Sequence, residues 1–213
     1  GNLPQNFVDF LFATIAAKAG AHIENIIWKG SPGTGVLPSL VGFLSDDGTH
    51  DDTGIEASIL KDFHEEDFSG VITSANVVGF LGDVLNKALG STNIVNNPGF
   101  GFYMNRKTYA LYAQALAANT TFQQLGSAGE FTSLTYMGYP IYVCPGMFDN
   151  TIVATYPENL VIGTNLLTDY TEATVIPAYQ YDGSDNIKVV MNFAMGCGVS
   201  VKDDGVYGTH IHA

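Results

Sequence analysis

Between residues 3 and 29 the apolar positions fall along one side of a helix. Phe7, Leu11, Ile15 and Ala19 recur every four residues, and Phe10, Ile23, Ile26 and Ile27 widen the stripe. Pro4 suits a first turn, with Asn2 or Leu3 ahead of it. Gly20 costs about 1 kcal/mol relative to alanine inside a helix, so support there must come from elsewhere. Gly30 ends the element and Pro32 follows, a common stop arrangement.

Residues 36 to 70 read mostly as loop, with a short apolar run at 40–44. A second helix is predicted over 74–89. Ser74 is its N-cap, Val77, Val78, Leu81, Val84, Leu85 and Leu89 form its stripe, and Gly90 ends it. A short strand over 100–104 leads into a third helix over 105–118. Asn105 caps that helix, and Tyr109, Tyr112 and Leu116 share a face. Strands follow at 134–144, 151–156, 160–162, 173–181 and 187–201. In the last, Ile187, Val189, Met191 and Phe193 alternate with Lys188, Val190, Asn192 and Ala194, a half-buried pattern. Asp182-Gly183-Ser184-Asp185 reads as a hairpin turn. Helices precede strands without βαβ alternation, which predicts an α+β chain with antiparallel pairing.

Charge narrows the partners. The net charge is −13 and Arg106 is the only arginine, which disfavours tight nucleic-acid or anionic-membrane binding. Only 14% of residues are charged, against 11 tyrosines and 13 phenylalanines, a balance that favours buried or interfacial surface. Cys144 and Cys197 match no CxxC motif and sit in apolar, strand-like contexts. They read as buried free thiols, which mildly favours a reducing compartment. No apolar stretch is long enough to span a membrane, and no signal peptide is legible.

Candidate chemistry is thin. Gly30-Ser31-Pro32-Gly33-Thr34-Gly35 lacks the lysine-plus-hydroxyl ending of a phosphate loop and follows the negative end of a helix dipole; it reads as a turn. At least one of Gly30, Gly33 and Gly35 is expected to have positive φ. Asp46-Asp47-Gly48-Thr49-His50-Asp51-Asp52 misses the EF-hand spacing, and His64-Glu65-Glu66-Asp67 has no second histidine at helical spacing. His210 and His212 belong to a mobile or docked tail. Asn119-Thr120-Thr121 matches the glycosylation sequon but reads as a helix end. Trp28 reads as a core or interface anchor. No catalytic, cofactor-binding or metal-binding residue is assigned.

Three segments in order carry a resemblance. Residues 7–44, FVDFLFATIAAKAGAHIENIIWKGSPGTGVLPSLVGFL, hold a long helix with Glu24 near its end, a Gly-rich turn and a G-F-L step. Residues 101–116, GFYMNRKTYALYAQAL, hold a strand and a helix opened by an Asn. Residues 134–201 hold a G-x-P-I strand, the strand NLVIGT and a long hairpin. Together they resemble the major capsid proteins of tailed bacteriophages, the Hong Kong ninety-seven type. The resemblance implies a phage major capsid fold. It has a P-domain of spine helix and long β-hairpin, residues 1–45 and 168–201, and an inserted A-domain of mixed sheet plus helices, residues 46–167 and 202–213. The spine helix would pack on the hairpin of 173–181 and 187–201. Family members carry an N-terminal arm and an E-loop before the spine helix. This sequence begins at that helix, so trimming or proteolysis is expected to have removed both, leaving a monomer or small oligomer.

The implied function is mechanical: a virion shell subunit of a phage or prophage, made in the bacterial host cytoplasm. Many copies would assemble with one another, with other capsid proteins and with portal or scaffold proteins, around packaged DNA held without sequence-specific binding and without membrane contact. An encapsulin-like compartment shell would share the fold. A metal-dependent soluble enzyme using Asp46 to Asp67 is the reading from a different class.

Overall fold

A computed structural model describes residues 5–30, 42–44, 58–91, 93–118, 134–164, 173–177, 187–191 and 195–210. Helix α1 spans Gln5–Lys29 without a break, as the stripe predicts. The side chains of Phe7, Phe10 and Leu11 lie outside the described residues. Helix α2 (Ser58–Asp62) and strand β1 (His64–Asp67) then occupy a stretch read as loop. Elements of five and four residues give too few positions for a period to register.

Helix α3 (Val77–Ser91) starts about a turn later than expected. Ser74 does not cap it. The chain instead makes a turn over 74–76, in which Asn76 Oδ1 accepts from Thr73 N–H (2.7 Å) and Asn76 Nδ2 donates to the Val71 carbonyl (3.0 Å). The buried stripe is Val77, Phe80, Leu81, Val84, Leu85 and Ala88, whereas Val78 and Leu89 are exposed. Phe80, the larger side chain, takes the core by stacking on Phe68 with centroids 4.4 Å apart.

Strand β2 (Gly101–Met104) and helix α4 (Arg106–Ala118) match their expected places. Asn105 caps α4 through Oδ1, which accepts from Lys107 N–H at 2.8 Å, while its Nδ2 donates to the Met147 carbonyl at 2.6 Å. The expected strand 134–144 is a hairpin, β3 (Thr135–Tyr136) and β4 (Tyr139–Val143). Its two-residue turn has φ of 49° at Met137 and 88° at Gly138. Positive φ at both central positions is what a type I′ turn demands, and only the second is a glycine. That Met in the first slot hid the turn from sequence reading.

Strands β5 (Thr151–Thr155), β6 (Leu160–Thr164), β7 (Ala173–Pro177), β8 (Ile187–Met191), β9 (Met195–Val199) and β10 (Val206–Thr209) follow. The principal sheet has six strands in the order β1-β10-β5-β2-β4-β3. It is mixed: β1 with β10 and β2 with β4 run parallel, the other neighbours antiparallel. A parallel pair needs a crossover, and α4 supplies it between β2 and β4. The antiparallel pairing read from the element order holds for three of the five neighbouring pairs, the mixed sheet is the kind the resemblance implied, and the α+β class stands.

Both faces of this sheet are covered, which is why β2 and β5 are buried at every residue. Helices α3 and α4 cover one face, with Phe102, Met104, Ile152 and Val206 in the core beneath them. The end of α1 and helix α2 cover the other, over Tyr103, Val153 and Tyr207.

The expected strand 187–201 holds two strands with different partners. β8 pairs with β7 and β9 pairs with β6, both antiparallel. Residues 165–172 and 192–194, which separate the two ladders in sequence, lie outside the described residues. Asp182–Asp185, the expected turn, lies outside the described residues.

Candidate interaction surface

Helix α1 is anchored through its last turns. Trp28 is buried against Phe43 (centroids 5.4 Å) and Tyr103 (6.3 Å). The last carbonyls of a helix have no intrahelical donor. Here Gly42, Phe43 and Leu44 N–H groups donate to the carbonyls of Gly30, Ile27 and Trp28 at 2.8–2.9 Å. A Cβ at Gly42 would stand 2.6 Å from Gly30 N, so only glycine lets the two backbones meet. On the other side, Gly146 lies so close that a Cβ would be 2.6 Å from the Glu24 carbonyl oxygen. Glu24 Oε1 accepts from Gly146 N–H at 3.3 Å, and Lys29 Nζ sits 5.1 Å from the centre of the Phe148 ring.

Earlier in α1, Ala13, Ala16, Ala17, Lys18, Gly20, Ala21 and His22 are exposed, and Ile15 and Ile23 are half-buried. Trp28 and Ile27 share an apolar cluster with Cys197 and Val199 of the expected hairpin, and the other described contacts of α1 run to Tyr103 and to residues 42–44 and 146–148. The side chains of β7 and β8 lie outside the described residues.

Several large apolar side chains are exposed: Val71, Val78 and Leu89 near or on α3, Met137 at the β3–β4 turn, and Val161, Ile162 and Val201 in or just after the β6–β9 ladder. Phe148 is 40% exposed beside Lys29. Single exposed apolar residues are ordinary; a contiguous patch of them marks surface that another protein covers.

The junction between the sheet and the β6–β9 ladder is polar and buried. Asn159 Nδ2 donates to the Val201 (3.2 Å) and Asp204 (3.0 Å) carbonyls, and its Oδ1 accepts from Val201 N–H (2.7 Å). Thr155 Oγ1 donates to the Asp204 carbonyl at 2.9 Å, and Tyr156 Oη donates to Asp204 Oδ2 at 3.0 Å. This cluster, formed by residues 45 positions apart, left no motif to read.

The sequence's candidate ligands separate. Residues 46–52, Gly33, Gly35, His212 and the sequon at 119–121 lie outside the described residues. Strand β1 alternates its faces, so His64 and Glu66 point one way and Glu65 and Asp67 the other. Glu66 pairs with Lys87 at 3.5 Å, and Asp62 with Lys202 at 2.9 Å. Among the described residues no group of three or more His, Cys, Asp or Glu could hold a metal ion. The tail is docked: β10 lies inside the sheet, and His210 Nδ1 is 3.0 Å from the Phe68 carbonyl.

Cys144 and Cys197 are free and half-buried. Burial, with Glu24 nearby, pushes the Cys144 thiol up to about 12, and burial pushes Cys197 up to about 11. Both are therefore protonated, weakly nucleophilic thiols at neutral pH. Burial also raises Tyr103, helped by Tyr142.

No family model matches the sequence, and no curated protein matches it. Solved structures do. The capsid of an empty GTA particle is 19% identical, with a TM-score of 0.59 over 96% of this chain and 67% of that one. The capsid of a native GTA particle is 20% identical, with a TM-score of 0.54 over 96% and 66%. A chain of Gordonia phage Cozz is 13% identical, with a TM-score of 0.57 over 99% and 65%. This chain thus spans about two thirds of their length. What they share is the fold: a mixed α+β phage capsid fold.

Proposed function

We propose that this chain is the structural major capsid protein of a tailed phage or prophage, one of many copies that close into an icosahedral shell around a genome. The observation that carries this reading is the likeness to GTA-particle capsid chains over 96% of its residues. Its role is mechanical: it buries surface against copies of itself in a closed, symmetric assembly. Exposed apolar residues such as Met137, Val161 and Phe148 are side chains such copies would cover. Contacts can each be weak, since every subunit has several neighbours. With a net charge of −13, the wall would enclose DNA without gripping it.

In this reading α1 is the spine helix, and with the hairpin of β7, β8 and β9 it forms the P-domain. The six-stranded sheet with α3 and α4 forms the A-domain, to which β10 returns. The P-domain of this reading is residues 1–45 and 168–201, and the A-domain 46–167 and 202–213. Portal and scaffold proteins are the further partners, and the virion is the location. Among the described residues no helix is long and apolar enough to cross a membrane.

The test is electron microscopy of the natural full-length reading frame expressed in bacteria. Closed shells of uniform diameter that protect DNA from nuclease are expected. Shells filled with a protein cargo and free of DNA would overturn the genome container, and a lasting failure to form any particle would overturn the shell.

A further inference from the structure

The principal sheet ends in β1 on one side and β3 on the other. An edge strand shows a row of unpaired backbone groups, a template on which another chain can add a strand. β3 is only two residues long, Thr135–Tyr136, too short to serve as one. β1 has four residues, His64–Asp67.

The register of β1 decides which of its groups are left over. His64 N–H donates to the Gly205 carbonyl at 3.0 Å, and Phe68 N–H donates to the Thr209 carbonyl at 2.9 Å. Backbone groups of successive strand residues turn to opposite sides. Those of His64 and Glu66 therefore serve β10, and the N–H and C=O of Glu65 and Asp67 point out of the sheet. The side chains of the same two residues are exposed. Among the described residues neither has a hydrogen bond or an ion pair, whereas Glu66 is held by Lys87. Two carboxylates thus stand where the sheet could grow, with no task inside the described fold.

A second β1, turned end for end, fits this edge in one register. Its outward groups meet these when Glu65 of one copy lies opposite Asp67 of the other, and Asp67 opposite Glu65. Residues directly opposite share a face, so all of these carboxylates crowd together, and Glu66 meets Glu66 on the other face. Like charges directly opposite destabilise a strand pair. Lys87 answers Glu66; no described cation answers Glu65 or Asp67.

We propose that β1 is a latent pairing surface for a second copy of this chain, held shut by Glu65 and Asp67. The guard belongs to the single subunit and stands whatever the chain assembles into. For a protein that works among many copies of itself, an unguarded edge is a standing route to the wrong contact.

Amide exchange and sedimentation on the full chain test it. In the parent, the amides of Glu65 and Asp67 should exchange fast at every concentration. In Glu65→Thr/Asp67→Thr, which removes the charge and favours strand, they should become at least about tenfold more protected as concentration rises, with a faster-sedimenting species. Glu65→Lys/Asp67→Lys should behave as the parent does, since like charges again face each other, yet an equimolar mixture of it with the parent should pair. Should circular dichroism show the threonine variant unfolded, Glu65→Gln/Asp67→Asn carries the same comparison. If that variant is unfolded too, the acids serve the fold and the proposal fails. Concentration-independent protection of those amides in the parent, a folded uncharged variant that stays unpaired, or a lysine variant that pairs with itself overturns the guard.

Discussion

Single residues hold this molecule together where its parts meet. Asn159 is fully buried and bonds both the 201–204 turn and Thr155. Asn159→Ala strands those backbone groups and should cost about 2–3 kcal/mol, read as a lower urea midpoint. Gly146→Ala forces a Cβ onto the carbonyl of Glu24 and should cost about 1–3 kcal/mol in the same measurement. The thiols give a pH signature. Unfolded, they titrate near 9.0, whereas folded Cys144 and Cys197 hold their protons to about 12 and about 11. The unfolded chain therefore releases protons first, and stability should be full below pH 9 and fall between pH 9 and 12. Denaturant midpoints across that range check it, with the Cys144→Ala/Cys197→Ala variant falling less steeply. At this scale the sequence was partly legible. Asn105 announced itself because a cap is local, two residues from the amide it bonds. Asn159 did not, since its partners lie over 40 positions away.

Elements were legible in proportion to their length. The stripe of α1 runs over 25 residues, long enough to fix type and ends. In α3 the expected stripe was off by part of a turn, because Val78 and Leu89 are as apolar as Phe80 and Ala88 and only packing decides between them. The β3–β4 hairpin vanished into one apparent strand for want of a turn signal at Met137. That residue is 75% exposed with φ of 49°. Met137→Asn supplies the side chain best suited to the slot and should stabilise by about 0.5–1 kcal/mol, seen as a raised melting temperature. An unchanged melting temperature would mean the turn carries no strain there. The mixed sheet came only from the resemblance: parallel pairing is set by order in space, which no local pattern encodes.

For the whole molecule, the ordered set of helix, strand-helix and hairpin pointed to the capsid fold that the solved structures share at 13–20% identity. The candidate surface was less visible, since an exposed Val78 or Val161 reads the same in sequence as a buried one. On the shell reading, Met137→Glu and Val161→Glu should leave the subunit's own stability within about 0.5 kcal/mol, being surface changes. Each should lower the yield of closed particles, scored by sedimentation and microscopy. Loss of stability with assembly intact would mean those side chains serve the fold and not its copies.

The place of β10 sets a clock. It lies between β1 and β5, and its residues pair with β1 partners 142 positions earlier. On a ribosome, β1 emerges and then waits roughly 10–30 s for the strand that fills its side. Until then β1 and β5 each show an open hydrogen-bonding edge, and the sheet is in two pieces. A nascent subunit therefore cannot finish folding while most of it is already out. A chain that stops before Val206 presents two unsatisfied edges to every other copy made at the same time.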